Sequence, residues 1–85
     1  MKHKFFYGTK PHINNYDPKD FSRGDYECCQ LFQSKNGAPV VVSRSKSMDI
    51  WQVQYGFSTV FFRSFAEAVE FCNSRGFQMV KEQTE

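Results

Sequence analysis

The residues able to do chemistry are few and scattered. Cys28, Cys29 and Cys72, with His3 and His12, are the candidates for a metal. Structural zinc calls for paired ligands at C-x₂₋₄-C spacing. Adjacent cysteines on a strand project to opposite faces, so Cys28 and Cys29 make a poor chelating pair and no metal ligand is predicted. Cys72 falls on an apolar helical stripe and reads as a small core residue. A cysteine or serine nucleophile needs a base beside it. Both histidines lie in an irregular leading segment, and no G-x-S-x-G or papain-like signature is present. The glycines at 8, 24, 37, 56 and 76 are too scattered for a phosphate-cradling loop. No catalytic or cofactor-binding residue is predicted, no cofactor is expected, and the chain is expected not to be an enzyme.

What remains suits binding. Gln52 and Gln54 alternate with Trp51, Val53 and Tyr55, so the glutamines occupy one face of a strand and the apolar residues the other. Ser43 shares the glutamine face, with Arg44, Lys46 and Arg63 at its margins. Arg44–Ser47 reads as a polar connector. Residues 8–25 hold two Gly, two Pro, two Asn and three Asp, all turn formers. They are expected to form a long irregular segment with a short helical turn around Pro18–Ser22. Ile13, Tyr16 and Phe21 could pin that segment to the core. The predicted binding surface is Tyr16, Lys19, Phe21, Arg23, Arg44, Lys46, Gln52, Gln54 and Arg63.

The frame that positions these residues is local and marked. Tyr26–Gln33 is strand-like, but neither of its faces is cleanly apolar. Asn36-Gly37 predicts a type I′ hairpin turn, with Ala38–Ser43 pairing back and Pro39 confined to a strand start or an edge. Ile50–Tyr55 and Thr59–Phe62 form a second hairpin around Gly56. Phe61 and Phe62 point opposite ways. Ser64-Phe65-Ala66-Glu67 fits a capping box, in which Glu67 reaches back to the cap N–H. Phe65, Ala68, Val69 and Cys72 then fall on one helix face, and Gly76 followed by Phe77 is a helix stop. A strand over residues 1–7, a last strand over Phe77–Val80 and a frayed tail over 81–85 complete the reading. The fold class is α+β: an antiparallel sheet of four or so strands, with one helix (about 64–75) across one face. Trp51, Val53, Tyr55, Phe65, Val69 and Cys72 are expected to be buried together.

Length and composition set the limits. Eighty-five residues make a single domain, 1–85. Aromatics are 18% of the chain, with ten Phe, four Tyr and one Trp, against two Ile and one Leu. The core is therefore built from rings and valines. The net charge of +2 does not by itself mark a nucleic-acid binder. An odd cysteine count, with no apolar leader before it, points to a reducing, cytoplasmic setting. No apolar run reaches the roughly 18–20 residues of a membrane span, so no membrane partner is expected.

Trp51 on a strand, Phe62 before the helix, and Phe65, Glu67, Ala68 and Phe71 within it resemble small DNA-binding modules built from a three-stranded sheet and a helix, such as integrase arm-binding domains. That resemblance implies DNA contact through the sheet face. In size and aromatic richness the chain is similar to small virus- or plasmid-encoded accessory proteins that bind and block a host protein, anti-CRISPR proteins among them. Exposed rings enrich protein interfaces; Tyr7, Tyr16, Phe21, Phe57 and Phe61 are the candidates. The expected function is a non-enzymatic protein that engages another protein, as a monomer or a homodimer. A DNA-binding module using its sheet face is the alternative.

Overall fold

The computed structural model describes residues 13–83. The strand expected over 1–7, both histidines, Tyr7 and residues 84–85 lie outside them. Seven strands and one α-helix follow in order: β1 (Asn15–Tyr16), β2 (Tyr26–Gln33), β3 (Pro39–Ser45), β4 (Trp51–Tyr55), β5 (Ser58–Phe62), α1 (Phe65–Ser74), β6 (Gln78–Met79) and β7 (Lys81–Glu82). A 3-10 turn, Pro18–Phe21, lies between β1 and β2. The main sheet is antiparallel, five strands in the order β5-β4-β3-β2-β6, and the α+β class holds with one strand more than expected. β1 and β7 pair separately and in parallel.

The helix is specified at both ends by its own sequence. The Ser64 hydroxyl accepts the Glu67 N–H at 3.1 Å, as an N-cap should. The Glu67 carboxylate reaches back one residue further than a standard capping box and takes the N–H of Arg63. At the far end, Phe77 N–H donates to the Cys72 carbonyl and Gly76 N–H to the Asn73 carbonyl, the paired bonds of a Schellman stop. Gly76 sits at φ 79, where a side chain would be strained.

Two turns set the strand registers. Gly56 has φ 57 and Phe57 a negative φ, which together with Tyr55 opposite Ser58 defines a two-residue type II′ hairpin. The β2–β3 turn is not type I′, because Asn36 has no positive φ. Instead Gly37 N–H donates to the Ser34 carbonyl and Gly37 alone adopts φ 84, as in a three-residue loop ending in a left-handed glycine. The Ser34 hydroxyl fills the loop, accepting from Asn36 and Ala38.

The ambiguity of Tyr26–Gln33 has a physical cause. A bulge at Cys29, between Cys28 and Gln30, inserts one residue and swaps the alternation along β2. Phe32 then joins Val40, Val42, Val53, Ala68 and Cys72 under the helix, with Trp51, Tyr55, Phe62, Val69, Phe71 and Phe77 around them. Cys28 and Leu31 face the other way, where they bury Tyr16 and Val80 beside Ile13, Phe21 and Val41. Phe65, expected under the helix, is 39% exposed in its first turn, and Phe71 fills the space against Tyr55 and Phe62 instead.

The front segment is more ordered than its turn-rich composition suggests. Asp17 caps the 3-10 turn by accepting from Lys19 N–H. The Ser22 hydroxyl donates to the Pro18 carbonyl and accepts from Cys28 N–H, tying the turn to β2. The tail is also tied where fraying was expected: Val80 N–H donates to the Leu31 carbonyl, Lys81–Glu82 pairs with β1, and Gln83 N–H donates to the Tyr16 carbonyl at 2.7 Å.

Candidate functional site

The front segment covers only half of the sheet face opposite the helix. Residues from Ile13 to Phe21 lie over β2 and the middle of β3 and stop there. Beyond them, Asp20 and Phe21 from the 3-10 turn, Arg23, Tyr26 from β2, Val41 and Ser43 from β3, and Gln52 and Gln54 from β4 enclose a cleft of about 420 Å³. Its walls are stiff. Three strands supply one side, and the other side is held by the Ser22 bonds and by the reciprocal backbone pair of Arg23 and Tyr26. Phe21 and Val41 give it an apolar floor, while Arg23, Asp20, Ser43 and the two amides offer donors and acceptors at the rim.

Four of the nine predicted residues meet here: Phe21, Arg23, Gln52 and Gln54. The other five are elsewhere. Tyr16 is 4% exposed and belongs to the second core, edge-on to Phe21 at 6.1 Å, so it is not a surface residue. Lys19 lies on the far side of the 3-10 turn, beside Glu82 and Gln83. Arg44 is not in a connector, because β3 continues to Ser45. Strand alternation sends Arg44 to the helix side of the sheet, over the Trp51 ring at 5.4 Å and 3.8 Å from Asp49. Lys46 lies in the β3–β4 loop, its N–H donating to the Asp25 carbonyl. Arg63 follows β5 at the helix entrance. Asp20, Tyr26 and Val41 were missed. Val41 alternates with the buried Val40 and Val42, so its side could have been inferred once those two were placed under the helix.

Below Arg44 is a polar knot. The Ser45 hydroxyl is buried and donates to the Asp25 carboxylate, as does the Ser47 hydroxyl at 2.8 Å. Ser45 also accepts from the N–H groups of Ser47 and Met48. The two hydroxyl donors hold the Asp25 carboxyl below its ordinary value. The knot fixes the β3–β4 loop, and its one carboxylate, held below its ordinary value, is a weak base toward either serine.

The thiols are chemically quiet. Burial pushes Cys28 and Cys72 up to about 11, and burial with the neighbouring Glu27 charge also raises Cys29. Thiols so shifted are almost wholly protonated at neutral pH and are poor nucleophiles. Among the described residues no three His, Cys, Asp or Glu side chains converge on a metal-sized site. Among them, too, no helix is long and apolar enough to cross a membrane.

Several large apolar groups are left exposed: Phe57 at the β4–β5 turn is fully exposed, Phe61 is 58% exposed, and Met48 and Met79 are more than half exposed. Phe61 lies opposite Gln52 on β4, so the cleft and the exposed ring share one face of the sheet. No family model, curated protein or solved structure matches this chain.

Proposed function

We propose that the chain is a non-enzymatic binding protein that engages another protein through the cleft between the 3-10 turn and β4. The observation that carries this reading is the half-covered sheet face. The front segment stops at Arg23 and leaves a stiff socket with an apolar floor and a polar rim, bordered by the exposed Phe61. Such a socket accepts one protruding side chain of a partner, which is how interface hot spots are seated. The small size and aromatic richness fit an accessory inhibitor of a host system, such as a virus- or plasmid-encoded anti-CRISPR protein.

The alternative, DNA binding on the sheet face, has less support. Of the predicted cations, only Arg23 lines the cleft, and Asp20 stands beside it. Arg44 is on the opposite face. Phosphate neutralisation supplies most nonspecific affinity and needs cations in one track.

The test is capture from lysate on the immobilised full chain, with Gln54→Trp, which fills the socket, and Arg23→Glu, which inverts its charge. A specific protein held by the parent chain and lost from both variants supports the cleft. Equal capture by all three overturns it. Heparin retention at about 50 mM salt that falls steeply with added salt would favour nucleic acid instead.

A further inference from the structure

β5 is the outer strand of the sheet, and among the described residues nothing pairs with its free side. Exposed edges in soluble proteins are usually blunted by a lysine, a proline, a bulge or extreme shortness. The other edge, β6, is two residues long and runs into Lys81. β5 has none of these protections: Ser58–Phe62 reads STVFF, five residues without charge or proline, in unbroken register with β4.

The hydrogen-bonding parity of that edge is fixed. The two-residue turn makes Tyr55 and Ser58 a hydrogen-bonded pair. Val53–Val60 and Trp51–Phe62 follow at intervals of two. On β4's other side the Ser45 N–H bonded to the Ile50 carbonyl at 2.9 Å gives the same parity, since even-numbered β4 residues serve β3 and odd-numbered ones serve β5. The N–H and C=O groups of Thr59 and Phe61 therefore point outward and find no strand partner among the described residues.

We propose that β5 pairs antiparallel with β5 of a second copy, centred on Val60. Only residues of matching parity can bond across the edge. Among such registers, the one centred on Val60 keeps both bonded pairs inside the strand. Thr59 faces Phe61 of the partner subunit, Phe61 faces Thr59 of the partner subunit, and four backbone bonds form. The same register sets Phe57 opposite Arg63 of the partner subunit, twice over. A fully exposed ring then meets a cation with which it can form a cation–π contact. The two-fold axis of such a pair stands perpendicular to the sheet. Both copies' clefts consequently open on the same side of one ten-stranded sheet. The contact is short, which places it among weak, concentration-dependent interfaces.

Sedimentation of the full chain from about 5 µM to about 500 µM tests this by mass action. The expected mass climbs from 10.0 kDa toward twice that value. Thr59→Pro removes an outward donor without touching the β4 ladder, and Phe61→Lys places a charge on the edge. Both should remain at monomer mass throughout, with the parent's circular dichroism. Hydrogen exchange on the unaltered chain is the second readout. The amides of Ser58, Val60 and Phe62 should be protected at every concentration, and those of Thr59 and Phe61 should slow only as concentration rises. A constant monomer mass, a dimer that survives both substitutions, or exchange at Thr59 and Phe61 that ignores concentration would each overturn the proposal.

Discussion

The side chain of Gln33 behaves as a strand partner for Ile13. Its Oε1 accepts the Ile13 N–H at 2.8 Å and its Nε2 donates to the Ile13 carbonyl at 3.2 Å, with the glutamine itself 6% exposed. One amide side chain thus satisfies both polar groups of a backbone that belongs to no sheet at that point. Gln33→Leu leaves those two groups unpaired and is expected to cost about 1–3 kcal/mol. Gln33→Glu at pH 7 buries a carboxylate against the Ile13 carbonyl and should cost at least as much as Gln33→Leu, easing as acid returns a proton to serve as the donor. Urea unfolding of the three proteins gives the order directly; equal midpoints would show that the pair is not holding the front segment.

The two ends of α1 act independently. Ser64→Ala removes the cap and should cost about 1 kcal/mol. Gly76→Ala forces a side chain into φ 79 and should cost about 1 kcal/mol or more. The sites share no partner, so the double substitution should equal the sum within about 0.5 kcal/mol. A shortfall larger than that in chemical denaturation would mean that the helix frays as a unit.

Alkali should unfold the protein. Tyr16 is pushed from 10.0 up to about 12, first by burial and then by Cys28, while Cys28 and Cys72 rise from 9.0 to about 11. Each group holds its proton more tightly folded than unfolded, so stability is full below the unfolded values and falls as pH rises from about 9 through the folded ones. No residue meets the buried Tyr16 hydroxyl at full hydrogen-bonding geometry among the described residues, the Leu31 backbone giving it only a weak contact. Tyr16→Phe should accordingly raise stability at pH 7 by about 1 kcal/mol and soften the alkaline fall above pH 10. Guanidinium midpoints from pH 7 to 11 measure both effects, and a loss at pH 7 would reveal a bonded hydroxyl.

Acid acts through Asp25 with the opposite sign. Its carboxyl titrates below the ordinary 3.8 because Ser45 and Ser47 donate to the charged form. That stabilisation is present above the ordinary value and is lost as pH falls from it through the lower folded one. Asp25→Asn should lower the melting temperature at pH 7 and flatten its decline below about pH 4. Parallel melting curves for the two proteins would contradict this.

Where the sequence was informative, the information was local. α1 could be placed because its cap, its stripe and its glycine stop lie within a dozen or so residues. The β4–β5 hairpin could be placed because alternation on both strands agreed with Gly56. β2 could not be oriented, since a bulge at Cys29 leaves no mark in residue type and reverses the faces on either side of it. Arg44 falls in other surroundings than expected for a related reason: β3 runs three residues past its last apolar residue, Val42, and parity alone decides which side Arg44 takes. Within the cleft, Gln52 and Gln54 were legible from alternation. Asp20 and Tyr26 depend on where the 3-10 turn lands, which is set by the Ser22 bonds and by Gln33, contacts that no periodicity announces.

The parallel pairing of Asn15–Tyr16 with Lys81–Glu82 joins positions near opposite ends of the described chain. Closing so long a loop costs more chain entropy than any hairpin in the molecule, and its return is two residue pairs and the burial of Tyr16 and Val80. During synthesis this clasp cannot form until Glu82 has left the ribosome, after every residue of the β2–β5 meander and α1 has emerged. The second core therefore cannot close until nearly the whole described chain is available, and a cut near either end of it removes one half of the clasp.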